Sequence, residues 1–196
     1  MVLFGHFKLR TTQVDEQGVR GRISALVPLA IASAAFVLLG RTAVAQDVTE
    51  PALKAAYIYN FARFTTWPTS AAAGDSFVIC VLNDAAVAEA LQHAVAGRSL
   101  TERPVSVTSV TSATPKKACR VLYMAGLPVA RAAEVVADLQ EAPVLTISSI
   151  DGFASAGGMT QFFFEHGQLR FRIHLESAKR AGLQISSRLL IMARPQ

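Results

Sequence analysis

FVICVLNDAAVAEALQHAV, residues 77 to 95, decides the fold. Its first six residues, Phe77 to Leu82, are apolar without a break, the pattern of a strand buried on both faces. Asn83-Asp84 supplies a helix cap, and Ala85 to Val95 reads as a helix closed by Gly97. A doubly buried strand feeding directly into a helix is the repeating unit of a parallel sheet with helices laid on it.

The same grammar continues toward the C-terminus. Pro104 to Val110 sets Val105, Val107 and Val110 among Ser and Thr, a strand with one wetter face. Ser112 to Lys117 reads as loop, and Val121 to Met124 (VLYM) as a short buried strand. Pro128 opens a third helix with Val129, Ala132, Ala133, Val136 and Leu139 on its inner side, and Pro143 to Ser148 (PVLTIS) is a fourth strand. Toward the N-terminus, Thr49 caps a helix carrying Pro51 in its first turn. Leu53, Ala56, Tyr57, Phe61 and Phe64 recur there at helical spacing, and Trp67-Pro68 ends the helix near Thr65. Helix, strand, helix, strand, strand, helix, strand predicts an α/β three-layer sandwich: a mixed, mostly parallel sheet with helices on both faces.

The last forty-odd residues change character. Met159 to Glu165 and Gln168 to His174 flank His166-Gly167, a two-residue hairpin turn. Counting outward pairs Phe164 with Leu169, Phe162 with Phe171 and Thr160 with Ile173 on one face. The other face receives Glu165 with Gln168, Phe163 with Arg170 and Gln161 with Arg172. An apolar face and a mixed face predict a C-terminal antiparallel hairpin covered on one side. Glu176 to Ala181 is a short helix stopped by Gly182. Ser186-Ser187 caps a last helix with Leu189, Leu190 and Met192 inside.

Residues 1–45 carry an export pattern. Arg20 and Arg22 precede an uncharged apolar run from Ile23 to Leu39, and Ala43-Val44-Ala45 then gives a small-x-small cleavage site before Gln46. The alternative is an uncleaved anchor, since the run approaches the ~18 residues of a spanning helix. Pro28, Ser24 and Ser33 favour cleavage, and no Arg-Arg pair marks the twin-arginine route. Asp15 and Glu16 are unusual in a leader, which suggests a start codon assigned too far upstream. The expected product is one exported periplasmic domain, residues 46–196. Removing the leader leaves 14 basic and 12 acidic residues, a net charge of +2 in place of the +5 of the whole chain. The basic residues are scattered, which argues against nucleic-acid binding. In an oxidising compartment Cys80 and Cys119, the two cysteines of the chain, read as one disulfide, against two buried free thiols.

Catalytic chemistry needs a constellation, and the chain offers none. His93, His166 and His174 lie in separate elements, with no H-E-x-x-H and no zinc spacing. No nucleophile elbow or phosphate loop is present, and no cofactor or metal is called for. Gly157-Gly158 reads as a hairpin lead-in that needs positive φ. Asp151 and Glu165 are imaginable as an acid/base pair, but Asp151 suits a turn and Glu165 a cross-strand partner. Binding has better footing. Phe163 beside Arg170, flanked by Gln161 and Arg172, forms an aromatic–cationic patch of the composition that partner-binding surfaces favour, with cation–π contact holding it. The competing reading is that a helix covers this face and Phe163 is core. Trp67 and Phe153 are further partner-contact candidates, each against a core reading.

Three separated motifs carry a family resemblance: LKAAYIYNFARFTTWP (Leu53 to Pro68), FVICVLND (Phe77 to Asp84), and PVLTISSIDGFASAGGMTQFF followed by LRFRIHLESAKRAGLQISSRLL. Together they resemble the YfiR-like family of periplasmic proteins over nearly all of the exported part. The resemblance implies a non-catalytic regulator that binds the periplasmic sensor region of an inner-membrane diguanylate cyclase and holds its cytoplasmic domain off. Release by an outer-membrane lipoprotein or envelope stress would then raise cyclic di-GMP. Related proteins stand beside other membrane sensors, kinases included, and a homodimer stays open. The chain departs from the family pattern at Gln161 and His174, where Asn is expected, and at Arg172, often an acidic position.

Overall fold

The computed structural model describes residues 48–72, 74–111, 118–139 and 141–195. The apolar run Ile23 to Leu39, the cleavage residues Ala43, Ala45 and Gln46, and the Ser112 to Lys117 loop lie outside them. Among the described residues no helix is long and apolar enough to cross a membrane.

Five helices and nine strands follow in the order α1 (Glu50–Arg63), β1 (Thr65–Thr66), β2 (Phe77–Leu82), α2 (Ala85–Val95), β3 (Ser99–Leu100), β4 (Arg103–Val110), β5 (Val121–Met124), α3 (Val129–Asp138), β6 (Leu145–Ser148), β7 (Thr160–Glu165), β8 (Gln168–Ile173), α4 (Leu175–Arg180), β9 (Gln184–Ile185) and α5 (Ser187–Met192), with a 3-10 turn at Thr69–Ala72. Seven strands form one sheet in the order β3-β4-β2-β5-β6-β7-β8. The five central strands run parallel, and β3 and β8 are antiparallel edges. This is the mixed, mostly parallel sheet that the alternation of elements predicts.

Side-chain alternation divides the core into two layers. Phe77, Ile79 and Val81 of β2, with Val121 and Tyr123 of β5, pack under α1 and α2. Cys80, Leu82, Leu122 and Met124 pack on the opposite face with Ala132 and Leu139 of the α3 segment. Helix α1 begins at the Thr49 cap, whose hydroxyl accepts from the Ala52 N–H at 3.4 Å. It stops at Arg63 because Phe64 is taken into the C-terminal segment: its carbonyl accepts from Ser186 N–H at 2.9 Å, and β1 then pairs with β9. This small second sheet has no period a sequence could reveal. The same holds for the β3–β4 hairpin, whose turn residues Thr101 (φ 50°) and Glu102 (φ 64°) adopt left-handed backbone without the usual Gly or Asn.

The C-terminal hairpin has the predicted register, from Thr160 opposite Ile173 to Glu165 opposite Gln168. Its turn is left-handed at both His166 (φ 51°) and Gly167 (φ 73°), the primed geometry of two-residue hairpins. Several inward assignments are corrected. Phe164 shares a face with Phe162 but is 48 % exposed, because the hairpin tip projects past the helices. Val129, at the first turn of α3, is 40 % exposed, and Met192, on the outer side of α5, is 57 % exposed. His174 caps α4 in place of the expected Asn, its Nδ1 accepting from Ser177 N–H at 3.2 Å.

Buried polar groups stitch the loops onto the sheet. Ser148 Oγ donates to the Met124 carbonyl at 2.8 Å and accepts from Ile150 N–H at 3.0 Å. Thr146 Oγ1 accepts from Met159 N–H at 3.1 Å. Gly158 is needed for space, not for positive φ: a Cβ there would stand 2.2 Å from the wholly buried Phe153 ring. Gly158→Ala should therefore cost about 1–3 kcal/mol through overpacking, read as a shift in the denaturation midpoint. Gly74→Ala, which meets no neighbouring atom within 4 Å, isolates the cost of positive φ without a clash.

Cys80 in β2 and Cys119 just before β5 form the expected disulfide, with Cα atoms 5.8 Å apart and both residues buried. The bridge joins neighbouring parallel strands across a 39-residue separation, a loop whose closure stabilises by about 4 kcal/mol in the chain-entropy model. The Cys80→Ser, Cys119→Ser double variant should unfold at correspondingly lower denaturant and ignore reductant. Stability equal to the oxidised parent would contradict a structural role for the bridge.

Candidate functional site

Parallel strands place their carboxyl ends together, and in open α/β sheets the crevice beyond those ends is where binding groups gather. Here α2 and β4 lie to one side of β2, and β5 and β6 to the other, so the strand order reverses beside β2. Asp84 follows β2, Tyr123 lies in β5 and Ser149 follows β6. The Tyr123 phenol donates its one proton to Asp84 Oδ2 at 3.3 Å, which leaves Ser149 Oγ, also at 3.3 Å, as the donor to the phenol oxygen. Lys54 reaches the same phenol from α1 while pairing with Glu50 at 2.6 Å. Beside this relay opens a cavity of about 480 Å³ lined by Glu50, Lys54, Ser149, Asp151, Phe162, Phe163, Phe164 and Leu169.

The mixed face of the hairpin adjoins that cavity. Arg172 lies with its guanidinium 4.0 Å from the centre of the Phe163 ring, close enough for a strong cation–π contact. Glu165 holds Arg194 at 2.9 Å and faces Arg170 at 4.0 Å, while Arg170 also donates to Gln168. Phe163, Arg170 and Arg172 are all half-buried, so this patch keeps solvent contact, while Phe164 is exposed on the opposite face of the tip. An arginine seated on an aromatic ring, beside two arginines held by one carboxylate, forms a surface with few conformations to lose on binding.

One expected member of the patch, Gln161, and one separate contact candidate, Phe153, are not on the surface. Gln161 is 5 % exposed because the 152–158 loop folds over it, and its Oε1 accepts from Ala154 N–H at 3.1 Å. Phe153 is wholly buried in the α3-side core. Their partner-contact assignment is corrected to a structural one. Trp67 is half-buried with its ring edge-on to Phe77, centroids 5.1 Å apart. Asp151 lines the carboxyl-end cavity, whereas Glu165 is engaged with arginines, so they do not form an acid/base pair. Among the described residues no cluster of His, Cys, Asp and Glu is arranged to hold a metal.

A second concentration of polar groups lies at the amino ends of the strands. A cavity of about 410 Å³ is lined by Arg63, Arg103 and Arg120 together with Thr65, Thr66, Trp67 and Thr101. Among the described residues Trp67 Nε1 and Thr65 Oγ1, both buried there, have no hydrogen-bond partner. Burial, and then the neighbouring Arg103 charge, lowers the pKa of the Arg120 guanidinium.

The Lys54–Tyr123 relay escaped sequence reading because α1 and β5 are seventy residues apart in the chain; Asn83-Asp84 and Ser148-Ser149, polar pairs closing buried strands, were the available signal. Burial pulls the Lys54 ammonium down, but the hydrogen bonds and charges of Glu50 and Tyr123 outweigh it and the group titrates above its ordinary value. Burial pushes the Tyr123 phenol up, against the opposing pull of Ser149 and Lys54. Both protonated forms are thus favoured by folding. The stability they contribute is complete below their unfolded values, about 10, and is lost as pH rises through the higher folded values. The denaturation midpoint should hold between about pH 7 and 9 and fall above about pH 10, with a shallower fall in Tyr123→Phe.

Comparison with known proteins adds one finding to this geometry. Among curated proteins the chain has no match. A family described as YfiR/HmsC-like matches residues 51–194, from the first turn of α1 to the tail that pairs with β8. Nearly every described element lies within that span, and the chain belongs to the YfiR/HmsC-like family.

Proposed function

We propose that the protein is a non-catalytic periplasmic regulator that binds the sensor region of an inner-membrane diguanylate cyclase, or a related sensor, and represses it. The observation that carries this reading is the ordered aromatic–cationic face of the hairpin: Phe163 under Arg172, with Arg170 beside it. Aromatic and arginine side chains are the residue types on which interface energy concentrates. Repression is stoichiometric. The protein must bind the off-state of the sensor more tightly than the on-state, because equal affinity shifts no equilibrium. Release follows when an outer-membrane lipoprotein or envelope stress competes for the same surface.

A second reading is favoured by the arginine-lined cavity. The buried, unpartnered Trp67 Nε1 and Thr65 Oγ1 beside Arg63, Arg103 and Arg120 suit a small anionic ligand. This supports a ligand- or peptidoglycan-binding module that reports to a sensor kinase. Calorimetry with small carboxylates and phosphates separates the two, since the first reading needs no ligand.

Deleting the gene should raise cellular cyclic di-GMP, and complementation with Phe163→Ala or Arg172→Ala should fail to lower it. Loss of either side chain is expected to weaken capture of the sensor about thirtyfold, the scale of an interface hot spot, with unchanged thermal unfolding. An unchanged cyclic di-GMP level in the deletion strain contradicts the reading.

A further inference from the structure

The two ends of the strands differ in charge. At the carboxyl ends and the hairpin tip Asp84, Asp151, Glu50 and Glu165 stand among Lys54, Arg170, Arg172 and Arg194, which balance them. Arg63, Arg98, Arg103, Arg120 and Arg188 stand at the amino ends, with Asp75 and Glu102 as the carboxylates near the same strand starts. Arg98 is fixed there by its carbonyl, which accepts from Val105 N–H at 3.0 Å, and Arg188 by Phe64, whose ring centre is 5.9 Å from its guanidinium.

Three of these arginines share one construction. Arg63 lies 5.8 Å from the Tyr59 ring centre and 5.7 Å from that of Phe64; Arg98 lies 5.2 Å from Tyr59, and Arg188 completes the row over Phe64. Among the described residues none of the three has a carboxylate partner. The row continues onto α5. Ile191 and Met192 follow Arg188 by three and four residues, on the same side of the helix, and are 84 % and 57 % exposed. Two bare aliphatic side chains beside three carboxylate-free guanidiniums, with aromatic rings beneath, form a contiguous amphipathic surface.

We propose that this amino-end surface docks on an anionic phospholipid bilayer, with Ile191 and Met192 entering the headgroup layer and Arg63, Arg98 and Arg188 on lipid phosphates. The charge complementarity is direct, since an anionic leaflet attracts basic residues near its surface and arginine stems bury while their heads stay polar. The exposure of Ile191 and Met192 suits a fluid apolar phase, whereas protein hot-spot anchors fill well-packed pockets. The inference is independent of the partner reading and uses none of its residues.

The test is sedimentation of the purified full-length protein with vesicles of phosphatidylcholine alone and of phosphatidylcholine mixed with phosphatidylglycerol, across rising salt. Binding should require phosphatidylglycerol and fall with salt. Arg98→Gln and Arg188→Gln should each lower partitioning about fivefold, the equivalent of about 1 kcal/mol per basic residue. The Ile191→Ser, Met192→Ser pair, both more than half exposed and checked for an unchanged thermal unfolding midpoint, should lower it about tenfold. Arg131→Gln, on the exposed side of α3, should change nothing. Binding by any retained apolar leader is alike on both vesicle types and is subtracted as the binding to phosphatidylcholine alone. No binding, equal binding to neutral vesicles, or binding indifferent to these four residues would overturn the proposal. So would capture by an acidic protein surface in place of the vesicles.

Discussion

Everything in this domain is hung on β2. It is the one strand whose neighbours on both edges, β4 and β5, run parallel to it and lie on opposite sides of the chain reversal. Both of its faces are covered, by α1 and α2 on one side and by the α3 layer on the other. Nothing but an uninterrupted apolar segment satisfies that position, and Phe77 to Leu82 is such a segment. The Cys80–Cys119 bridge ties this strand to β5, its neighbour on the side away from β4. The covalent link therefore fixes the step at which the sheet changes direction of growth.

From that constraint the surface follows. A chain that places β4 and β5 on either side of β2 must gather the polar residues ending those strands at one edge and the residues leading into them at the other. Asp84, Tyr123 and Ser149 meet at the first edge because the register aligns Leu82 with Met124 and Met124 with Ser148. Arg63, Arg103 and Arg120 meet at the second because α1 returns the chain there. The hairpin extends the sheet beyond this frame, and its two faces inherit different fates: Phe162 and Phe171 pack on Phe61 with ring centres 6.0 and 4.9 Å away, while Phe163 turns to Arg172.

What could be read from the sequence was whatever has a local period or a local turn signal. The β2–α2 unit, the hairpin register and the helix caps are of this kind, since strand alternation and a His-Gly turn specify them within a few residues. The disulfide followed from compartment and arithmetic. The β1–β9 pairing was not legible, because a two-residue ladder between segments more than a hundred residues apart leaves no pattern. Burial of Gln161 was missed for a related reason. Alternation puts Gln161 on the polar face correctly, but whether a loop then folds over that face depends on Gly158 admitting the Phe153 ring, a fit visible only in three dimensions.

The central claim is that the ordered hairpin face holds a membrane sensor in its off-state. The most direct measurement adds the purified protein to inner-membrane vesicles carrying the cognate cyclase and follows cyclic di-GMP synthesis. The account predicts inhibition that saturates at a fixed ratio of protein to sensor and is lost with Phe163→Ala and Arg172→Ala while their folds persist. Synthesis unaffected by the wild-type protein, or inhibited equally by both variants, would contradict it.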